Sequence, residues 1–266
     1  MEFPFGINPG FVLSGFIVGA LVGQTGVGGG SLMTPILVVL FGIPPAAAVG
    51  TDLLYASATK TAGTLVHGIN DTVDWRVVGR MAAGSAPATL LTLVAMSCFD
   101  LNSPAASRRI SLILGIMLVL TALSLLGRRW LFRRFPRVTR ASPERVAHRM
   151  IGPMTTLMGA ALGVLVTISS VGAGALGVTA LLILYPRLPM AVIVGSDIAH
   201  AVPLTLIAGA GHWWLGSVDW MLLATLLCGS IPGIMLGSYL LPRMPEVLSR
   251  TVLGLVLLTV AGKLLW

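Results

Sequence analysis

The chain has 266 residues, 56% of them hydrophobic and 10% charged, and a formal net charge of +8. A soluble domain needs charged residues over its exterior, so this composition excludes a soluble globular protein and indicates an integral membrane protein. The 32 glycines and 16 prolines agree with that class, because both residues are commoner in membrane helices than in soluble ones.

The chain contains eight apolar stretches, and an arginine-rich segment separates them into two sets of four. The stretches are 10–41, 45–66, 77–98 and 109–127, followed by 152–185, 189–211, 220–241 and 248–265. About 20 apolar residues are enough to cross a bilayer as a helix. The first stretch of each set is longer and is interrupted by glycines, at 26–30 and at 172–174. We expect each piece of these two broken helices to be too short to span the membrane alone.

The arginine-rich segment carries eight of the chain's 17 basic residues, all between Arg128 and Arg149. Its prolines and weak hydrophobic periodicity predict a linker over 128–150, between a first transmembrane repeat at 1–127 and a second at 151–266. Basic residues concentrate on the cytoplasmic side, so we expect a cytoplasmic linker that contacts anionic lipids of the cell (inner) membrane. A nucleic-acid-binding arm is the alternative, but the placement of the charge argues against a nucleic acid partner.

The two sets of stretches are copies of one module. At a shift of 144 residues, Leu21-Val22 and Val27-Gly28 match Leu165-Val166 and Val171-Gly172. At a shift of 145, the matched residues of the first set are Pro44, Gly50, Asp52, His67, Val73-Asp74-Trp75, Gly84-Ser85 and Pro87. Their counterparts are Pro189, Gly195, Asp197, His212, Val218-Asp219-Trp220, Gly229-Ser230 and Pro232. One residue inserted near Pro186 accounts for the change of shift, and the agreement indicates an internal duplication.

Charge placement favours an inverted orientation of the two repeats. If each broken helix is a re-entrant hairpin, each half makes three crossings, and 13 basic residues lie on the linker side against three on the other. If each broken helix crosses once, the halves are parallel and the counts are 11 and five. The first count fits the positive-inside rule better. We therefore predict an all-α integral membrane protein of two inverted pseudo-symmetric repeats, each with a glycine-broken, re-entrant first helix and three further transmembrane helices.

The glycine motif of the first repeat points to a family. The residues Gly26-Val27-Gly28-Gly29-Gly30-Ser31-Leu32, then Pro35, then Gly50-Thr51-Asp52, with a degenerate second copy, resemble the TauE/SafE family of sulfite-exporter-like permeases. The resemblance covers residues 10–265 and implies transport of sulfite, sulfonates or other small organic anions. The second copy departs from the pattern, with Ala173 and Ala175 in place of Gly29 and Ser31.

The two glycine breaks are the candidate substrate site, because inverted repeats with broken helices place their sites where the breaks meet. A helix start has unpaired N–H groups and a positive dipole end that attract an anion, and glycine lets the ligand approach the backbone. The predicted substrate-binding residues are Thr25, Gly28, Gly29, Gly30 and Ser31 in the first copy, and Ser169, Ser170, Gly172 and Gly174 in the second. Close helix packing is the alternative role for the glycines.

Charged side chains within the spans form a second group of candidates. Asp52 lies about 10 Å into its helix, at about 1.5 Å per residue, and Asp197 is its counterpart. Asp197 and His200 share a helix face, and we predict that Asp52, Asp197 and His200 carry protons or balance charge during transport. The adjacent Thr51 and Ser196 are predicted to bind substrate. A structural role for the aspartates, as acceptors of hydrogen bonds from helix ends, is the alternative.

Lys60 also lies well inside a predicted span, and its counterpart in the second copy is Thr205. We predict that Lys60 attracts the anionic substrate or pairs with Asp52. Snorkelling of its ammonium group toward the membrane surface is the alternative.

Two further matched pairs are assigned ordinary roles. His67 and His212 have no other ligands at metal-binding spacing, so we expect no metal site. Asp74-Trp75 and Asp219-Trp220 predict helix starts, with the aspartate as N-cap and the tryptophan at the membrane interface.

These features predict a secondary transporter of a small anion, working by alternating access with ion coupling, most simply to protons. No nucleotide-binding or cofactor motif is present in the sequence, so we expect an ion gradient to drive it. A passive anion channel with the same site is the alternative. An enzyme is not supported, because the sequence lacks hydrolase and protease motifs.

Overall fold

The structure is a computed structural model and describes residues 9–25, 30–101, 103–134, 144–240 and 246–265. These residues form ten α-helices, and no strand occurs among them. In chain order the helices are α1 (Pro9–Thr25), α2 (Gly30–Val39), α3 (Pro45–Ile69), α4 (Trp75–Ser97), α5 (Pro104–Arg134), α6 (Glu144–Ser169), α7 (Ala175–Leu184), α8 (Met190–Trp214), α9 (Trp220–Leu240) and α10 (Glu246–Leu265). Each broken stretch forms two helices and every other stretch forms one, so the predicted all-α fold is confirmed.

Among the described residues, four helices are long and apolar enough to cross a membrane, judged by length and composition. Their apolar spans are Trp75–Ser97 in α4, Pro104–Gly127 in α5, Met150–Ser169 in α6 and Met190–Trp214 in α8. The expectation that every piece of a broken helix is too short is wrong for α6, because its apolar span has 20 residues. The pieces after the breaks, α2 and α7, have 10 residues each. They are about 15 Å long, or half the thickness of a bilayer core.

Helical structure extends into both ends of the predicted linker. Helix α5 has 31 residues and ends at Arg134, and α6 begins at Glu144. The arginine-rich segment therefore prolongs two membrane helices at its edges, because its first and last turns continue their hydrogen-bonding pattern. Residues 135–143 lie outside the described part of the chain.

The two halves are interleaved, and their main helix contacts occur in matching pairs. Helix α1 packs along α9, and its counterpart α6 packs along α4, while α3 packs on α8 and α5 on α10. Helix α2 contacts α3 and α10, as α7 contacts α8 and α5. Buried aliphatic side chains of both halves fill the interior, among them Leu37, Leu53, Leu118, Leu204 and Leu226. The duplication inferred from the sequence therefore extends to the packing.

Glycines allow helices of opposite halves to approach backbone to backbone. In two helix pairs, glycines one turn apart lie against backbone carbonyl groups and leave no room for a Cβ atom. The contacts are Gly15–Leu226 and Gly19–Ser230 between α1 and α9, and Gly159–Met81 and Gly163–Ser85 between α6 and α4. The same shifts of 144 and 145 residues that relate the repeats relate these contacts. Small residues thus set the close packing of both pairs.

The contacts also establish the relative directions of the helices. Gly50, early in α3, lies against Ser217 just beyond the end of α8. Gly195, early in α8, lies against Thr72 just beyond the end of α3. Helices α3 and α8 are therefore antiparallel, and the contacts between α5 and α10 give the same result. In the pair α1–α9, the residue numbers of the contacting residues increase in the same direction along both helices, so this pair is parallel.

The two limbs of each broken helix lie side by side at their outer ends. Phe11 near the start of α1 and Phe41 just after α2 have ring centroids 4.6 Å apart. At the matching positions of the second half, Thr155 Oγ1 and Tyr185 OH share a hydrogen bond of 2.7 Å. In both halves, a residue near the start of the broken apolar stretch therefore lies beside a residue just beyond its second helix.

Two hydrogen bonds join the halves near the helix starts. Thr51 Oγ1 accepts from the backbone N–H of Asp219 at 3.0 Å, and Ser196 Oγ accepts from that of Asp74 at 2.8 Å. The carboxylates of Asp74 and Asp219 in turn accept from backbone N–H groups in the first turns of α4 and α9. The predicted capped helix starts are therefore confirmed.

Candidate functional site

The break in the second half is a short turn, Ser170–Gly174, between α6 and α7. Gly172 and Gly174 have φ values of +122° and +127°, which side chains of L-residues rarely permit. Ser170, at φ +57°, lies in the left-handed region as well. The turn is buried beside α3. Glycine is needed at these two positions because the chain can change direction here only with positive φ values.

Asp52 connects three parts of the structure. Its side chain is fully buried in α3, and Oδ2 accepts hydrogen bonds from Thr34 Oγ1 in α2 and from Ser170 Oγ at 2.9 Å. Oδ1 has no hydrogen-bond partner among the described residues. Two hydroxyl donors stabilise the ionised form of a buried carboxylate, so Asp52 holds α2, α3 and the opposite break together.

Lys60 points into the protein toward the same break. The side chain is 5% exposed, and Nζ donates to Ala173 O at 3.0 Å. The ammonium lies within electrostatic range of Asp197 and, more weakly, of Asp52. The snorkelling alternative is wrong for this structure, because the charge is directed to the interior rather than to the membrane surface.

Asp197 is the counterpart of Asp52, but its surroundings differ. It is 1% exposed, and neither carboxylate oxygen has a hydrogen-bond partner in the part of the chain that the structure describes. A Cβ atom on Gly177 of α7 would overlap its Oδ1, so the carboxylate lies directly against the α7 backbone. The residues that match the donors of Asp52 are Val178 and Gly26, which have no hydroxyl group. The two copies of the repeat therefore differ at the positions of the hydroxyl donors, which are present for Asp52 and replaced for Asp197.

His200 lies one turn beyond Asp197 on α8. It is fully buried, and its Nε2 shares a hydrogen bond of 2.9 Å with Ser85 Oγ of α4, while Nδ1 has no partner. The matching pair in the other half is Tyr55 and Ser230, whose hydroxyls lie close together without forming a regular hydrogen bond. His200 is also within electrostatic range of Lys60. The structure therefore brings Asp52, Lys60, Asp197 and His200 into one buried cluster around the break.

Several predicted substrate-binding residues have their hydroxyl groups engaged elsewhere. Ser169 Oγ donates to Leu165 O at 2.7 Å and accepts from the backbone N–H of Val171, so it closes the end of α6. Thr51 and Ser196 bind the backbone of the opposite half rather than the cluster. These three hydroxyls stabilise the scaffold of the site.

The first-half break is only partly described. Gly28 and Gly29 lie outside the described residues, and Thr25 is the last residue of α1, with a side chain that is not described. Gly30 begins α2, and the buried Ser31 Oγ has no hydrogen-bond partner within the described ranges. A role for these residues in substrate binding stays a prediction.

Two residues of the site were missed by sequence reasoning. Thr34 and Ser85 supply hydroxyls to Asp52 and His200. The repeat match of Gly84-Ser85 with Gly229-Ser230 was a signal for Ser85. Thr34 carried no such signal, because its counterpart is Val178.

The sequence profile of the sulfite exporter TauE/SafE family matches residues 11–264. A probable membrane transporter protein of Bacillus subtilis (strain 168), YjnA, is 39% identical over 249 residues, or 93% of this chain and 96% of that protein. A probable membrane transporter protein of Xylella fastidiosa (strain 9a5c) is 28% identical over 259 residues, or 95% of this chain and 93% of that protein. No solved structure matches the chain. Because the profile spans both halves and both breaks, this multi-pass membrane protein belongs to the sulfite exporter TauE/SafE family.

Proposed function

We propose that the protein is a secondary transporter that carries a small anion across the cell membrane by alternating access. The proposal rests on one observation, the buried ammonium of Lys60 bound to the glycine break beside two buried carboxylates. Ionisable groups inside a membrane are costly and are found mainly where they serve transport. Two matched halves around one charged site also offer the two equivalent packings that alternating access requires.

The halves are inverted in this proposal, and each broken helix is a re-entrant hairpin. The antiparallel pairs α3–α8 and α5–α10 support the inversion. The contacts Phe11–Phe41 and Thr155–Tyr185 support hairpins whose two ends lie on one side. A hairpin leaves three crossings in each half, and the positive-inside rule then places the segment 128–150 in the cytoplasm.

The anion binds at the start of α7, between the break and Lys60. Gly174 caps this helix without a side-chain hydrogen bond, and the N–H of Gly177 donates to Gly172 O, so the anion would meet the N–H groups of Ala175 and Leu176 and the positive end of the helix dipole. Lys60 adds a full positive charge at the same place. The first-half motif, from Gly28 to Ser31, contributes the matching helix start of α2.

Sulfite is the substrate to test first, and sulfonates are the second class. The family's name includes sulfite, and both groups present several oxygen acceptors around one compact charge. Such anions suit backbone N–H donors and an ammonium group better than a bulky apolar ligand does. Protons taken up by the buried carboxylates would couple transport to the proton gradient, and membrane lipids surround the protein.

The test is uptake of labelled sulfite or methanesulfonate into proteoliposomes, with and without an imposed pH gradient. We expect accumulation above the external concentration by the wild type and loss of uptake in Lys60→Thr, which installs the residue of the matching position. Lys263→Thr removes an exposed lysine at the end of α10 and is the matched control. Flux that equilibrates but never accumulates would indicate the passive channel, and no flux of either anion would contradict the proposal.

A further inference from the structure

The cluster holds two carboxylates but one ammonium. Among the described residues, Lys60 is the only buried lysine or arginine, whereas Asp52 and Asp197 are both buried. The repeat does not resolve this imbalance, because the counterpart of Lys60 is Thr205. The two carboxylates must therefore be stabilised in different ways.

Asp52 is stabilised by hydroxyl donors, and Asp197 is not. Thr34 and Ser170 donate to Asp52, while no described residue forms a hydrogen bond with either oxygen of Asp197. A buried ionised carboxylate without donors is costly unless a cation lies close to it or it takes up a proton. Lys60 is the charged group within electrostatic range of Asp197.

The ammonium of Lys60 has capacity for a second partner. It has three N–H donors, and the structure assigns one of them to Ala173 O. The remaining donors lie beside the start of α7, where the proposed anion site is. The same ammonium is thus within electrostatic range of Asp197, whose carboxylate lies against Gly177 of α7, and it lies beside the proposed position of the anion.

We infer that Asp197 and the transported anion compete for Lys60, so that the anion binds when Asp197 takes up a proton. The inference rests on the proposed function and names the coupling residue within it. When the site is empty, Asp197 is ionised and neutralises Lys60. When a monoanion binds Lys60, a proton binds Asp197, and the net charge of the cluster stays the same. One proton therefore moves with each monoanion in the same direction.

The surrounding groups are consistent with this assignment. The titratable side chains in and next to the cluster are Asp52, Tyr55 and Lys60 of α3 and Asp197 and His200 of α8. Helix α4 contributes the uncharged Ser85, and the described parts of α6 and α7 next to the break contribute no titratable side chain. Asp52 is held by two hydroxyls and His200 by Ser85, so Asp197 is the carboxylate that has no hydrogen-bond partner among the described residues.

The experiment compares the wild type, Asp197→Asn and Asp71→Asn in proteoliposomes. Asp71→Asn is the control, because Asp71 is exposed in a turn and has a φ of 51° that asparagine accommodates. We expect Asp197→Asn to lose accumulation driven by the pH gradient, down to the external concentration, while it retains exchange of labelled for unlabelled anion. In Asp71→Asn both activities remain.

A second measurement does not depend on transport. In the purified wild type, the affinity for methanesulfonate should change by about tenfold per pH unit where one proton is linked, and Asp197→Asn should show no such dependence. Gradient-driven accumulation by Asp197→Asn, or an unaltered pH dependence of its affinity, would overturn the inference while leaving the transporter proposal in place. A wild type that moves neither anion would overturn the proposed function and this inference together.

Discussion

Replacing Thr34 with valine tests whether a hydroxyl donor to Asp52 stabilises the packing of α2 on α3. The change removes one of the two donors and keeps the side-chain volume nearly constant, and Thr34 is fully buried. Hydrogen bonds between membrane helices contribute about 0.6 kcal/mol on average, and an ionised acceptor roughly doubles that value. We therefore expect Thr34→Val to lower the free energy of unfolding by about 1–2 kcal/mol, or about five- to thirty-fold in the folded-to-unfolded ratio.

The assay is reversible unfolding of the purified protein in mixed micelles of SDS and a mild detergent. Thr121→Val is the matched control, because Thr121 is equally buried but its hydroxyl has no hydrogen-bond partner. Its replacement should be neutral or stabilising, since it removes an unsatisfied polar group. Equal losses in Thr34→Val and Thr121→Val would refute the reasoning. So would a Thr34→Val loss that is as large in an Asp52→Asn background as in the wild type.

Three further predictions concern the scaffold of the site. Gly84→Ala should destabilise the protein by about 1–3 kcal/mol and lower its thermal unfolding temperature, because the added Cβ would overlap a backbone carbonyl of α6. Gly79→Ala is the control, because Gly79 lies in open space on the same helix and its replacement should not lower that temperature. Gly174→Ala should lower the free energy of unfolding by about 1–3 kcal/mol, because alanine is strained at φ +127°, and it should also weaken anion binding. Unchanged anion affinity would show that the break is not part of the binding site. The hydrogen bonds of Thr51 and Ser196 to the opposite half are tested by Thr51→Val and Ser196→Ala, each of which should lower the free energy of unfolding by about 0.5–1.5 kcal/mol. Thermal unfolding scans that show no loss of stability would contradict the role of these two bonds.

The apolar stretches were predictable because a helix that crosses a bilayer needs about 20 apolar residues, a length that is visible in the sequence. The duplication predicted which stretches correspond between the halves, and the glycine runs marked the broken helices. The length of α6 was not predictable from the position of its break, because the helix continues outward to Glu144 through the arginine-rich segment. Polar and charged residues favour neither helix nor loop strongly enough to reveal such an extension.

The candidate site was predictable where a charge interrupts an apolar stretch. Asp52, Lys60 and Asp197 stood out for that reason, and the structure brings all three to the same break. Their uncharged partners did not stand out, because a threonine or serine in a membrane helix usually bonds its own backbone. Only the packing shows that Thr34 serves Asp52 and that Thr51 and Ser196 face away from the cluster.

The amino-acid sequence by itself determined that this chain is a duplicated membrane protein with a glycine break and an aspartate in each half, since hydrophobic length and internal repetition are properties of the chain alone. The tertiary structure decided how the two copies differ. Asp52 receives hydroxyl donors from α2 and from the opposite break, and Asp197 receives none from the described residues. Hydrogen bonds depend on distances between atoms that only folding brings together, so two residues that match in sequence acquire different chemistry.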